Sequence, residues 1–202
     1  MTHRIRYSCS VTILAGLFAT VSAPAQEEMA STGMDPAEMM KKVEAAGTPG
    51  EAHKVLEPRI GEWTAEVKSW MAPGQPPVVS QGSAMSQWVM NGRFVQEEFH
   101  GEMMGKPFTG MSLTGYDNMK QKYVSIWIDD VSTSIFVSEG TAEDDGKVIT
   151  FSGKMDCPFT SEKDIPVKHV LRILGPDKQV FEMYDPRMGE NTKAMEITYT
   201  RK

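Results

Sequence analysis

Residues 84–99 read A-M-S-Q-W-V-M-N-G-R-F-V-Q-E-E-F. Asn-Gly between two alternating runs is the strongest short-range signal for a two-residue β-hairpin, because both turn positions need positive φ. A turn at Asn91-Gly92 fixes a register. Met90 falls opposite Arg93, Trp88 opposite Val95, Ser86 opposite Glu97, and Ala84 opposite Phe99. The other face carries Val89, Gln87 and Met85 against Phe94, Gln96 and Glu98. The first face is richer in Trp, Val, Phe and Ala, so it is expected to point inward. That carries Glu97 inward as well, where a carboxylate needs a cation or a ligand.

The same period-2 alternation continues in both directions. It predicts strands near 62–71, 78–90, 93–101, 107–116, 122–130, 134–142, 147–156, 166–174, 179–185 and 193–201. Pro73-Gly74-Gln75-Pro76-Pro77, Asp117-Asn118, Asp145-Gly146, Gly175-Pro176-Asp177 and Asp185-Pro186 supply turn chemistry between them. About ten short strands with no helical crossover make a mainly β antiparallel meander. At this length, closure into a barrel is the economical way to remove exposed edges.

One or two short helices are expected before residue 61. Asp35 is a natural N-cap with Pro36 at the first helical position, and Gly47 is a natural stop. Thr48-Pro49-Gly50-Glu51 has capping-box spacing for a second helix through about Leu56. His53, Leu56 and Ile60 fall at spacings that cover one face.

Residues 1–25 read as a secretory signal peptide. His3, Arg4 and Arg6 precede the apolar run Val11–Val21, and Ala23-Pro24-Ala25 fits the small-x-small rule, for a cut after Ala25 or Ala23. That run is too short for the ~20 residues that span a bilayer, so an exported protein with no membrane span is expected. Residues 26–34 lack periodicity and read as a flexible leader. The expected organisation is therefore signal 1–25, leader 26–34, helical segment 35–60 and barrel 61–202.

The full chain of 202 residues has 21 Lys and Arg against 27 Asp and Glu, a net charge of −6. Removing the signal takes Arg4 and Arg6 and leaves 19 − 27 = −8. That balance argues against a nucleic-acid surface. Cys9 leaves as well, so Cys157 has no internal disulfide partner. It reads as a loop thiol before Pro158, with a reactive or dimer-forming thiol as the alternative.

Closure of the barrel has its own signal. Gly61-Glu62-Trp63 opens the first strand and Arg201 ends the last. Antiparallel pairing of these two strands brings Arg201 beside Trp63. Met195, Ile197, Tyr199 and Arg201 share one parity, as do Trp63, Ala65 and Val67. A guanidinium over an indole is a cation–π pair worth about 0.5–2 kcal/mol.

These features resemble the calycin superfamily of lipocalin-like barrels, in which G-x-W on the first strand packs beneath an Arg from the last. A closer resemblance rests on E-A-H-K-V-L (51–56), G-E-W-T-A-E-V-K-S-W (61–70), N-G-R-F-V-Q-E-E-F (91–99) and G-E-M-M-G-K-P-F (101–108). It continues through T-G-Y-D-N (114–118), Y-V-S-I-W-I-D (123–129), V-F-E-M-Y (180–184) and M-E-I-T-Y-T-R-K (195–202). In these stretches the chain resembles the bacterial family catalogued as domain of unknown function 1579. The resemblance implies a calycin-like barrel, often exported, and carries no catalytic residues over. His100 stands where that family often has Lys, and Met155-Asp156-Cys157-Pro158 departs from its pattern.

The motifs of known chemistry fail on spacing. His53, His100 and His169 form neither H-x-H nor H-E-x-x-H. Gly110-Met111-Ser112-Leu113-Thr114-Gly115 is one residue too long for a nucleophile elbow and sits in a strand. Gly101–Lys106 has three residues between its glycines where a phosphate loop needs four, and reads as a hairpin turn. Asp144-Asp145-Gly146 lacks calcium-loop spacing. Methionine is abundant, with 16 in the chain, yet no two are two or three residues apart, as copper motifs require. No catalytic residue, metal or cofactor is expected. A haem ligand is the sharper alternative for His169, because nitrobindin, a barrel family of the same superfamily, binds haem through a His.

The functional expectation is a non-enzymatic binding barrel for a small, partly apolar ligand. Trp88, Phe99, Tyr116, Trp127 and Tyr199 are candidate walls; Glu97 and His169 are candidate polar contacts. One alternative is an envelope protein–protein interaction domain with a packed barrel. The other is an enzyme acting on a held ligand through Glu97 and His169.

Overall fold

A computed structural model describes residues 35–158, 160–189 and 191–202. The signal-peptide and leader readings lie outside the described residues. Two compact units divide between Val43 and Glu44. Helix α1 (Pro36–Gly47) begins in the first and ends in the second; Asp35 caps it as expected, its Oδ1 accepting from the Ala37 N–H at 3.0 Å. Glu38 and Lys42 pair one turn apart on its exposed surface.

In the second unit, α2 (Glu51–Lys54) is shorter than its expected reach to Leu56, and its cap differs. The Thr48 hydroxyl donates to the Glu44 carbonyl at 2.6 Å, turned back onto α1, and Thr48 lies two residues before the cap position. Gly50 caps instead, its N–H donating to His53 Nδ1 at 3.0 Å. A 3-10 turn (Glu57–Arg59) follows. His53 and Leu56 are buried, and Ile60 is half-buried.

Ten strands follow: β1 (Gly61–Ser69), β2 (Val78–Val89), β3 (Phe94–Met103), β4 (Lys106–Asp117), β5 (Lys122–Asp129), β6 (Phe136–Glu143), β7 (Val148–Met155), β8 (Ile165–Gly175), β9 (Lys178–Tyr184) and β10 (Lys193–Arg201). Each pairs antiparallel with its sequence neighbour, and β10 closes on β1 to complete the barrel. The hairpin register holds at Ala84–Phe99, Ser86–Glu97 and Trp88–Val95. Pairing stops at Val89–Phe94, one step short of the expected Met90–Arg93 pair. Met90 itself takes φ +50°, so three consecutive residues, Met90, Asn91 and Gly92, are left-handed.

Trp63 pairs with Arg201 across the closing seam, and the guanidinium lies 4.2 Å over the indole. Above that seam, two apolar layers line the interior. One gathers Leu56, Val95, Tyr123, Ile149, Phe151 and Leu171 beneath the α2 and 3-10 segment, which plugs that end. The other gathers Trp63, Ala65, Val67, Ala84, Phe99, Ile197 and Tyr199, with Phe108, Trp127, Phe181 and Met195 packed against it.

Cys157 is buried and free of disulfide, in the turn between β7 and β8. Close by, the Arg187 guanidinium ties Asp185 and Glu162. No described helix is long and apolar enough to cross a membrane.

Candidate functional site

Inward-facing residues differ between the two ends of the barrel. At the plugged end they are covered: Leu56, Val95 and Ile149 have no exposed surface. At the other end Phe108, Trp127, Phe136, His169, Phe181 and Met195 share inward parity yet stay partly accessible. We call this less covered end the mouth.

The rings at the mouth lie flat against the wall because neighbouring strands place glycines under them. A Cβ at Gly110 would collide with the Trp127 indole, and one at Gly153 would come within 2.6 Å of the Phe136 ring. Phe108 stacks on Trp127 at 6.3 Å between centroids and meets Phe99 edge-on at 6.2 Å. The Trp127 indole N–H donates to Asp129 at 3.1 Å.

Next round the wall from Trp127, whose cross-strand neighbour is Phe136, His169 sits between Phe136 and Phe181, 4.9 and 5.0 Å from their centroids. Burial pushes its pKa down to about 4, so the imidazole is neutral near pH 7. This sets a pH dependence. The unfolded imidazole titrates near ~6.5. Between there and about 4 the unfolded chain holds a proton that the native state refuses. Stability should therefore fall as pH drops through that window, by about 3 kcal/mol, and level off below it. His53, lowered first by burial and then by Arg93, adds a term of the same sign that a His169 substitution leaves in place. Urea midpoints against pH should show a shallower slope for His169→Leu than for the wild type. An unchanged slope contradicts the assignment.

Between the two apolar layers lies a belt of buried polar side chains. Arg59 Nη2 donates to Glu97 Oε2 at 3.0 Å, from the 3-10 turn into the barrel. The Ser86 hydroxyl donates to the same oxygen at 3.2 Å, and the Tyr199 hydroxyl donates to Glu97 Oε1 at 3.3 Å. Burial first, and then the Glu97 charge, raise the Tyr199 pKa, so the phenol stays neutral. Thr114 and Ser125 hydroxyls share a hydrogen bond at 2.8 Å farther along the belt. Ser112 and Gln179 complete it, both buried.

Of the residues singled out from sequence, Phe99, Trp127 and His169 line the mouth side, and Glu97 and Tyr199 meet in the belt. Trp88 and Tyr116 lie in the plugged layer instead. The Trp88 indole N–H donates to Glu57 at 2.7 Å, and Tyr116 packs edge-on against His53 and Tyr123. Sequence reasoning missed Arg59, Ser112, Ser138 and Gln179. Their inward parity was readable for the strand residues, but polar side chains on that face were not collected as a group.

Two open grooves mark the outer surface. One, of about 750 Å³, runs past Glu57, Asp144, Lys147, Arg172, Leu174 and Arg201. The other, of about 480 Å³, is lined by Glu162, Asp164, Pro166 and Arg187 among others. Neither contains a candidate wall residue. Among the described residues, no three His, Cys, Asp or Glu side chains converge as a metal site would need.

A family model described as "Protein of unknown function (DUF1579)" matches residues 48–201. A search of curated proteins finds no match. Among solved structures, that of Rv2717c from M. tuberculosis is similar, with a TM-score of 0.53 and 15% identity, covering 77% of this chain and 99% of that one. At that identity the likeness is one of fold. The matched span takes in the 3-10 plug and all ten strands, and with it the Trp63–Arg201 seam: the chain belongs to the family of domain of unknown function 1579.

Proposed function

We propose that this protein is an exported binding barrel for a small, partly apolar ligand that enters through the aromatic mouth. The asymmetry of the two ends carries this reading. One end is sealed by Leu56 and its neighbours, while the other keeps inward rings accessible, as a ligand cup requires and a uniformly packed core does not. Flat rings over glycines favour a planar or aliphatic guest that stacks on the wall. The enzymatic alternative is disfavoured by bonding. Glu97 is committed to Arg59, Ser86 and Tyr199, and no hydrogen bond links it to His169 among the described residues. A carboxylate held this way is a poor proton carrier. Export rests on the reading of residues 1–25.

Native mass spectrometry of protein purified from its own cells tests the proposal directly. A retained organic mass is the expected result. Stripped protein should also bind naphthalene saturably, read by quenching of Trp127 fluorescence and lost in Trp127→Phe. No retained mass and no saturable binding would overturn the proposal in favour of an interaction domain.

A further inference from the structure

The belt contains four buried polar atoms with no hydrogen-bond partner: Arg59 Nε, Ser112 Oγ, and both amide atoms of Gln179. Arg59, Ser112 and Gln179 are each more than nine-tenths buried, at 7%, 8% and 2% exposure. Native interiors pair nearly all such atoms, so several on one level call for a partner. The sheet register shows that they converge. Ser112 is the direct neighbour of Glu97, and Gln179 the direct neighbour of Tyr199. Glu97 and Tyr199 are themselves bonded, and Arg59 bonds the same carboxylate. All three orphaned groups therefore surround one hydrogen bond in the middle of the barrel.

We propose that this belt is the polar seat of the binding site and that it takes a neutral amide-type head group, such as a lactam, an imide or a primary carboxamide. The inference rests on the binding reading above and specifies its ligand class. Charge comes first. Arg59 and Glu97 cancel, and Tyr199 is neutral, so a charged head would enter a buried site with no counter-charge. Hydrogen bonding comes next. Gln179 offers one donor group and one acceptor side by side, whichever way its amide is turned. A cis-amide edge answers both with two antiparallel hydrogen bonds. A carboxylate answers only the donor. Ser112 or Arg59 Nε then serves the remaining lone pair of the guest carbonyl.

The surroundings define the rest of the molecule. One inward step toward the mouth from Gln179 is Phe181, from Ser112 is Gly110, from Glu97 is Phe99 and from Tyr199 is Ile197. The guest thus carries an apolar body directly above its amide. From Gln179 to Met183 the strand rises about 13 Å, which matches the length of a two-ring body with an amide edge that displaces the rings above the belt.

Quinolin-2(1H)-one and naphthalene test this, as two-ring probes that differ in the lactam edge. Titration calorimetry is expected to show quinolinone binding at least about tenfold more tightly, although it is the less apolar of the two. Gln179→Leu should abolish that preference and leave naphthalene affinity within about twofold, which also shows that the variant is folded. The same substitution should raise the melting midpoint of the free protein, because it removes two unpaired buried atoms. If Gln179→Leu does not fold, Ser112→Ala carries the test, with a smaller loss expected. Equal binding of both probes overturns the seat, leaving it to ordered water alone, while the apolar cup stands. A quinolinone preference that survives both substitutions overturns the seat's location. Binding of neither probe overturns the seat and the cup together.

Discussion

Trp63→Ala is expected to destabilise the protein by about 3–5 kcal/mol, enough to unfold much of it at 37 °C. The indole has no exposed surface, and its N–H donates to the Arg59 carbonyl at 2.9 Å. Over its face sits Arg201, which donates to the carbonyls of Pro58, Ile60 and Pro176 at 2.9, 2.7 and 2.7 Å. One ring therefore underlies the contact between the last strand, the 3-10 plug and the β8–β9 turn. Losing it empties a large volume and removes the surface on which the guanidinium is stacked. Trp63→Phe keeps part of the burial but forfeits the bond to Arg59, and should cost less. Arg201→Lys keeps the charge but gathers its three N–H groups on one nitrogen, which cannot span carbonyls that the guanidinium reaches from three separate nitrogens. Urea unfolding monitored by far-UV circular dichroism checks all three. A Trp63→Ala loss below about 1 kcal/mol would contradict this account of closure.

Glu97→Ala should be nearly as damaging. It strands the Arg59 guanidinium in the interior and removes the acceptor for Ser86 and Tyr199. Removing one partner of a buried ion pair typically costs about 3–5 kcal/mol. Most of that is the penalty of the charge left behind, so a second substitution should recover it. The double variant Arg59→Met, Glu97→Ala is expected to be clearly more stable than Glu97→Ala alone. A double-mutant cycle of unfolding free energies provides the check. Additive losses at the two positions would mean that the pair is not coupled.

The strand pattern and its closing seam were legible because both follow from alternation. Asn91-Gly92 set which residues face inward, and the same parity carried around the barrel to Trp63 and Arg201. Depth along the barrel axis was not legible. Period 2 assigns a side chain to a face, whereas its height depends on how far each strand is staggered against the next. Trp88 and Trp127 both face inward, yet one lies under the plug and the other at the mouth. Arg59 was invisible for another reason. It precedes the first strand and reaches a partner 38 residues away, a contact with no local signature. Ser112 and Gln179 carried the right parity, but short polar residues in a strand give no hydrophobic signal to group them.

The seam between β1 and β10 also imposes an order of events. Trp63 waits for a residue 138 positions later, and every rung of that ladder lies within the final nine strand residues. A chain still being made, or clipped before Lys193, carries an open sheet with two bare edges, each ready to pair with another copy. Aggregation during synthesis is therefore a hazard of this topology, and β10 ends it by joining the two edges. The backbone N–H of Lys202 already donates to the Glu62 carbonyl at 3.0 Å. A linker from Lys202 to Thr48, long enough to keep the plug segment in place, with new ends cut in an exposed turn, would shorten the sequence separation of that pairing and speed folding.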